Sequence, residues 1–136
     1  MPGYFTDYLN NKVLDLVLGN SAFVSPSTLY IGLSLNPSSK GGVINEPSPS
    51  TGYLRMGVAN TLLNFPQASN GSKTNVNTIT FPTPTASWGT ILAVFLADSA
   101  NGGNILAMAD LSSPRLVSLG SPGPTIASNA LFLSHT

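Results

Sequence analysis

The stretch WGTILAVFLADSANGGNILAMADL, residues 88–111, decides the fold class. Over 88–98 nearly every position is apolar, with Ile91, Ala93, Phe95 and Ala97 at one parity and Leu92, Val94 and Leu96 at the other. Successive side chains of a strand point to opposite faces, so this strand has two apolar faces. It belongs either at the centre of a two-layer fold or against a second subunit. Asn101-Gly102-Gly103-Asn104 then supplies residues that accept the positive φ of a tight turn, and 105–111 returns as the partner strand. The segment predicts an antiparallel hairpin with the core built around it.

Downstream, Pro114 opens a further short strand through Leu116 and Leu119, Gly120-Ser121-Pro122-Gly123-Pro124 makes a rigid turn, and 125–133 reads as the last strand. Upstream, Ile79 and Phe81 share a face of a short strand over 77–81, and another strand covers 53–60. Leu29, Ile31, Leu33 and Leu35 alternate with Thr28, Tyr30, Gly32 and Ser34 as a half-buried strand. Residues 64–74 form a polar connection. Residues 36–51 string together Pro37, Gly41, Gly42, Pro47 and Pro49, too many breakers for regular structure, and predict an exposed loop able to serve as a contact arm.

One helix precedes these strands. Over about 6–18, Tyr8, Leu9, Val13, Leu16 and Val17 recur at helical spacing opposite Asn10, Asn11, Lys12 and Asp15. Thr6 or Asp7 suits its cap, and Gly19 suits the left-handed position after its last turn. Its apolar stripe is expected to pack on the sheet, docking on a partner being the other use of such a face. The pattern predicts a mainly β fold: a single domain over 1–136, with six or seven short, largely antiparallel strands within 28–133 and an N-terminal amphipathic helix.

Only 7% of the 136 residues are charged, against about 25% in an ordinary soluble domain. Lys and Glu are depleted where proteins touch, so a surface this poor in charge is expected to be covered by other protein. The basic residues Lys12, Lys40, Arg55, Lys73 and Arg115 are scattered and balanced by five acidic ones, which argues against binding a phosphate backbone. Cysteine is absent, and with it disulfides, thiolate metal sites and thiol nucleophiles. The opening MPGYFTDYLNNK lacks the basic and apolar regions of an export signal, and no run approaches the ~20 apolar residues of a membrane span. The expectation is a chain made and used without export and without a membrane.

Little in the sequence points to catalysis, a metal or a cofactor. His135 is the only histidine and stands next to the last residue, where a precisely held base is not expected. Asp98 and Asp110 flank the hairpin and could in principle pair as acid and base, but both stand at strand ends, where Asp usually serves turn backbone. Gly41-Gly42 and Gly102-Gly103 are not followed by Lys-Ser or Lys-Thr, so neither is a phosphate loop. Trp88, with Tyr30, Tyr53, Phe65 and Phe95, could form a platform for sugar or peptide, although such rings more often anchor a core or an interface.

Three segments together resemble a family of small tailed-bacteriophage virion proteins: FTDYLNNKVLDLVLG (5–19), STLYIGLS (27–34) with GYLRMGVAN (52–60), and ITFPTPTASWGTILAVFLADSANGGNILAMADL (79–111). FPTPTASWG with the apolar hairpin behind it is the most specific part. Members of that family carry the label tail fibre protein, and some resemble the cement or decoration proteins that clamp the outside of a capsid. The resemblance implies a virion component without enzymatic activity, made in the host cytoplasm and placed on the capsid surface. There it would bridge copies of the major capsid protein, as a homodimer or other homo-oligomer, and stabilise the head. A tail or fibre-base structural protein is the alternative, and a small carbohydrate-binding module a further one. The contact residues expected on this reading are Trp88, Leu92, Val94 and Leu96 on the apolar strand and Pro37, Val43, Ile44 and Pro47 in the 36–51 loop.

Overall fold

In the computed structural model, which describes residues 1–134, the expected hairpin is present as β6 (Gly89–Ala97) and β7 (Ile105–Val117). Gly102 and Gly103 take φ of 61° and 72° at its tip, a region that a side chain disfavours. β2 (Thr28–Ser34) lies antiparallel on the other flank of β6, with Ile31 opposite Leu96 and Leu33 opposite Val94. β3 (Met56–Ala59) pairs with β2 and forms that edge. Beyond β7 come β1 (Pro2–Phe5), β9 (Phe132–Ser134) and β4 (Ser72–Thr74), which completes one seven-stranded sheet in the order β3-β2-β6-β7-β1-β9-β4. The β1–β9 pair is parallel and the other pairs are antiparallel. β5 (Ile79–Thr80) and β8 (Thr125–Ile126) make a separate two-stranded sheet.

The expected strands 53–60 and 77–81 shorten to β3 and β5, and three further differences change the topology. Residues 114–119 do not open a new strand, because β7 continues through Pro114 with an irregularity: Ile91 pairs with Arg115 and Ala93 with Asp110. One residue of β6, Leu92, therefore faces residues 111–114 of β7, and Pro114 sits in that bulge, where a missing N–H breaks no ladder bond. The bulge also shifts parity, so Ile91 joins Val94 and Leu96 on the inner face while Ala93, Phe95 and Ala97 keep the other. Residues 125–133 divide between β8 and β9, in different sheets. Finally, β1 and β4 arise in segments without a strand pattern; both are short and take their place from the neighbours that pair with them.

Helix α1 (Asp7–Val17) forms where the periodicity predicts it. Thr6 caps it in position but not in chemistry: the Thr6 hydroxyl donates to the Ile105 carbonyl at 2.6 Å, with the Leu106 carbonyl also within reach, and so ties the helix start to β7. Tyr8 and Leu9 pack against the main core, yet no α1 residue is buried and Leu14, Leu16 and Val17 are exposed. The stripe thus packs only through its first turns. After the last turn Asn20, not Gly19, takes the left-handed conformation, with φ of 53°. Among the described residues no helix is long and apolar enough to cross a membrane.

Candidate interaction surface

The outer face of the hairpin carries Ala93, Phe95 and Ala97 of β6 with Met108 of β7, all buried. A strap over residues 36–47 covers it. Leu35 N donates to Asn45 O at 2.7 Å, and the buried Ser34 hydroxyl accepts from Asn36 N and Asn45 N, both at 3.1 Å. Ser38 N donates to the Asp110 carboxylate at 2.7 Å and Asp7 N to Lys40 O at 2.7 Å. Ile44 packs on the Phe95 cluster and Pro47 is buried. The 36–51 segment is thus an irregular strap pinned to the sheet, with residues 37, 40, 41, 43, 45 and 48–50 still exposed. Its breakers exclude a ladder, but an uncovered Phe95 face would be costly in water, and specific backbone bonds hold the irregular chain against it.

Glu46 and Arg55 lock the far end of the strap. The Arg55 side chain is 3% exposed and donates from Nη2 and Nε to the two Glu46 carboxylate oxygens at 2.7 and 3.1 Å. Its Nη1 donates to Ser99 O and Gly102 O in the hairpin turn at 2.7 and 2.9 Å, and the guanidinium lies over the Phe95 ring at 5.0 Å. Tyr53 OH donates to Glu46 Oε2 at 2.6 Å while accepting from Leu33 N at 3.0 Å. Burial alone would raise the Glu46 pKa, but the bonds from Arg55 and Tyr53 and the guanidinium charge outweigh it and hold the carboxyl below its ordinary 4.5. Burial, and then the bond to Glu46, push the Tyr53 hydroxyl well above its ordinary 10.

The structure redistributes the expected contact residues. Trp88 is 3% exposed: it donates from Nε1 to Thr51 O at 2.8 Å and meets the Tyr53 ring edge to face at 5.4 Å, with Phe81 stacked beyond Tyr53 at 6.5 Å. Val94 and Leu96 belong to the same core. These three are occupied by the chain's own packing: the main core, with Phe81, Ile126 and Leu131, covers one face of the strand and the strap covers the other, the two faces that composition alone left open to a partner. Leu92 is half-buried in the bulge, and of the loop residues only Pro37 and Val43 are exposed. The sugar platform is not formed either: Tyr53, Phe65, Trp88 and Phe95 are buried, and Tyr30 is half-buried.

The polar candidates serve backbone. Asp98 accepts from Asn104 N and Nδ2 at 2.8 and 3.0 Å, which closes the hairpin turn. Asp110 pairs across from Ala93, five residues before Asp98, so the two residues stand roughly 17 Å apart along the backbone of the hairpin. His135 lies outside the described residues. Among the described residues no group of three or more His, Asp or Glu is placed to hold a metal ion.

What remains open is apolar. A groove of about 470 Å³ is lined by Leu9, Phe23, Leu29, Phe65, Leu106 and Leu131 among others, and Lys73 is the only charged residue in its lining. Val24 lies between the lining residues Phe23 and Ser25 in the chain, and Leu62 and Leu63 lie between Asn60 and Phe65; the three are exposed by 89%, 66% and 84%. Exposed apolar side chains beside an apolar groove leave this side of the molecule with little polar cover. Its sequence signal was available, since Val24, Leu62 and Leu63 are apolar residues in connections where no strand or helix needs them.

A family model described as Podophage GP4 fiber I protein gp80 matches residues 4–134. No curated protein matches the chain.

Proposed function

The chain belongs to this family of tailed-phage virion proteins as a structural component, and from that premise we propose that it is an adhesive subunit of a fibre or of a fibre base, with no reaction of its own. The observation that carries this reading is the apolar groove lined by Leu9, Phe23, Leu29, Phe65, Leu106 and Leu131, with the exposed Val24, Leu62 and Leu63 close to its lining residues in the chain, on a protein with five basic and five acidic residues. Such a surface gains free energy when a neighbour covers it, and many equivalent contacts in one particle add without any single one being strong. Asp98 and Asp110, the only carboxylates considered for catalysis, are committed to backbone groups. A homo-oligomer bound at the particle surface fits the same face, since closed symmetric contacts need only one self-complementary patch.

A second reading, a capsid cement protein that bridges copies of the major capsid protein, is favoured by the seven-stranded sheet and its small companion, which among the described residues carry no shaft or internal repeat. Electron microscopy of particles in which this chain carries a density tag separates the two. Density at the tail or fibre base supports the first, density between capsomers supports the second, and absence from purified particles refutes both. Heads assembled with and without the chain that rupture at the same temperature would remove the cement reading.

A further inference from the structure

β3 and β5 are both sheet edges, and the register fixes where their backbone groups point. Asn60 N donates to Ser27 O at 3.0 Å, which makes Val58 with Leu29 and Met56 with Ile31 the bonded pairs of the β2–β3 ladder. The N–H and C=O of Gly57 and Ala59 therefore turn away from β2. In the other sheet Phe81 N donates to Pro124 O at 2.9 Å, so Ile79 bonds Ile126 and the backbone groups of Thr78 and Thr80 turn away from β8. Both outward rows line one cleft of about 320 Å³, with Met56, Val58, Phe65 and Ile79.

The cleft is closed at one end by bonds between its walls: Val76 N donates to Asn64 O at 3.0 Å and Asn77 Nδ2 to Asn64 Oδ1 at 3.1 Å. Ala59 O is used by Thr61 N and Asn64 Nδ2. Gly57 N–H and C=O, Ala59 N–H, and the backbone groups of Thr78 and Thr80 have no protein partner among the described residues. No lining residue is charged and none is Pro, so neither of these two devices blunts the two short edges here.

We infer that the β3–β5 cleft is a strand-binding site, taken in the particle by an extended, uncharged segment of a neighbouring virion protein. An extended backbone is the chemistry that matches two facing rows of unpaired donors and acceptors, and it would join the two sheets through both. The segment is uncharged because a charge laid against Met56, Val58 and Ile79 would find no counter-ion in the lining. β3 offers four residues, which sets the bonded length at about 14 Å. A second copy of this chain is disfavoured as donor: its β3 edge arrives with β2 and with its own wall over 77–80, whereas a cleft walled on both sides admits a lone strand.

This inference rests on the chain being a subunit of the particle. Hydrogen exchange of the wild-type chain, free and in purified particles, tests it without any variant. Amides of Gly57, Ala59, Thr78 and Thr80 should exchange at least about 10-fold more slowly in particles, and the free chain should show no such slowing as its concentration rises. Ala59→Pro and, separately, Thr78→Pro remove donors that bond nothing in the free chain; each should leave the melting temperature of the free chain nearly unchanged while lowering its copies per particle about 10-fold. Particles that carry the chain with those amides exchanging as fast as in the free protein overturn the inference while leaving the proposed function in place. Slowing in the concentrated free chain would overturn it in favour of a second copy, and a chain absent from particles would overturn both.

Discussion

Replacing Glu46 by Gln removes one charge and almost no volume, and so isolates the electrostatic part of the strap lock. Arg55 would keep its bonds to Ser99 O and Gly102 O and its place over Phe95, but its charge, on a side chain 3% exposed, would lose its counter-ion. Breaking a buried ion pair from one side costs about 3–5 kcal/mol, and because the Glu46 side chain is 24% exposed, water relieves part of that, which leaves about 2–3 kcal/mol. For a chain of this length, each kcal/mol moves Tm by roughly 3–5 °C, so Tm should fall by about 10 °C. Urea unfolding at pH 7 measures the loss directly. The pH dependence supplies a second signature. The folded Glu46 carboxyl is held below its ordinary 4.5, so the unfolded chain takes up the proton first; the stability it contributes is full above about pH 4.5 and is lost as pH falls through the folded pKa. The gap between wild type and Glu46→Gln should therefore narrow below that pH. A loss under about 1 kcal/mol at pH 7, or a gap that stays constant down to pH 3, would refute the account of the lock.

Gly32→Ala should destabilise by about 1–3 kcal/mol in the same urea assay, because a Cβ at 32 would run into the Phe95 ring, which the Arg55 guanidinium overlies at 5.0 Å. Tyr53→Phe should cost about 1–3 kcal/mol at pH 7 by leaving Leu33 N without its acceptor. Since the folded Tyr53 pKa is raised, its contribution is full below about pH 10 and declines above it as the unfolded chain ionises, so unfolding midpoints of wild type and variant should converge between pH 10 and 11.5. Leu62→Ser combined with Leu63→Ser should leave unfolding within about 0.5 kcal/mol, as both are exposed, while reducing incorporation into particles; undiminished incorporation would show that this rim touches nothing.

Period and punctuation sufficed for the hairpin, for β2 and for α1, because each is a local pattern: two apolar faces with Asn-Gly-Gly-Asn between them, a clean alternation over 28–35, and a helical stripe bounded by Thr6 and Gly19. Long-range pairing decided the rest. β1 reads as an unremarkable Pro-Gly-Tyr-Phe and becomes a central strand only because β7 and β9 flank it, and the bulge that sends Ile91 inward depends on four residues of β7 facing one of β6. The strap over 36–47 changed the meaning of the apolar strand: it covers Phe95 on one face while the main core takes Trp88, Val94 and Leu96 on the other, and the large apolar side chains left in water lie elsewhere, Leu18, Val24, Leu62 and Leu63 among them. A residue's hydrophobicity states that it must leave water, and one-dimensional order states which neighbours share its face. Whether its own chain or another supplies the cover is settled only when distant segments compete for the same surface in three dimensions.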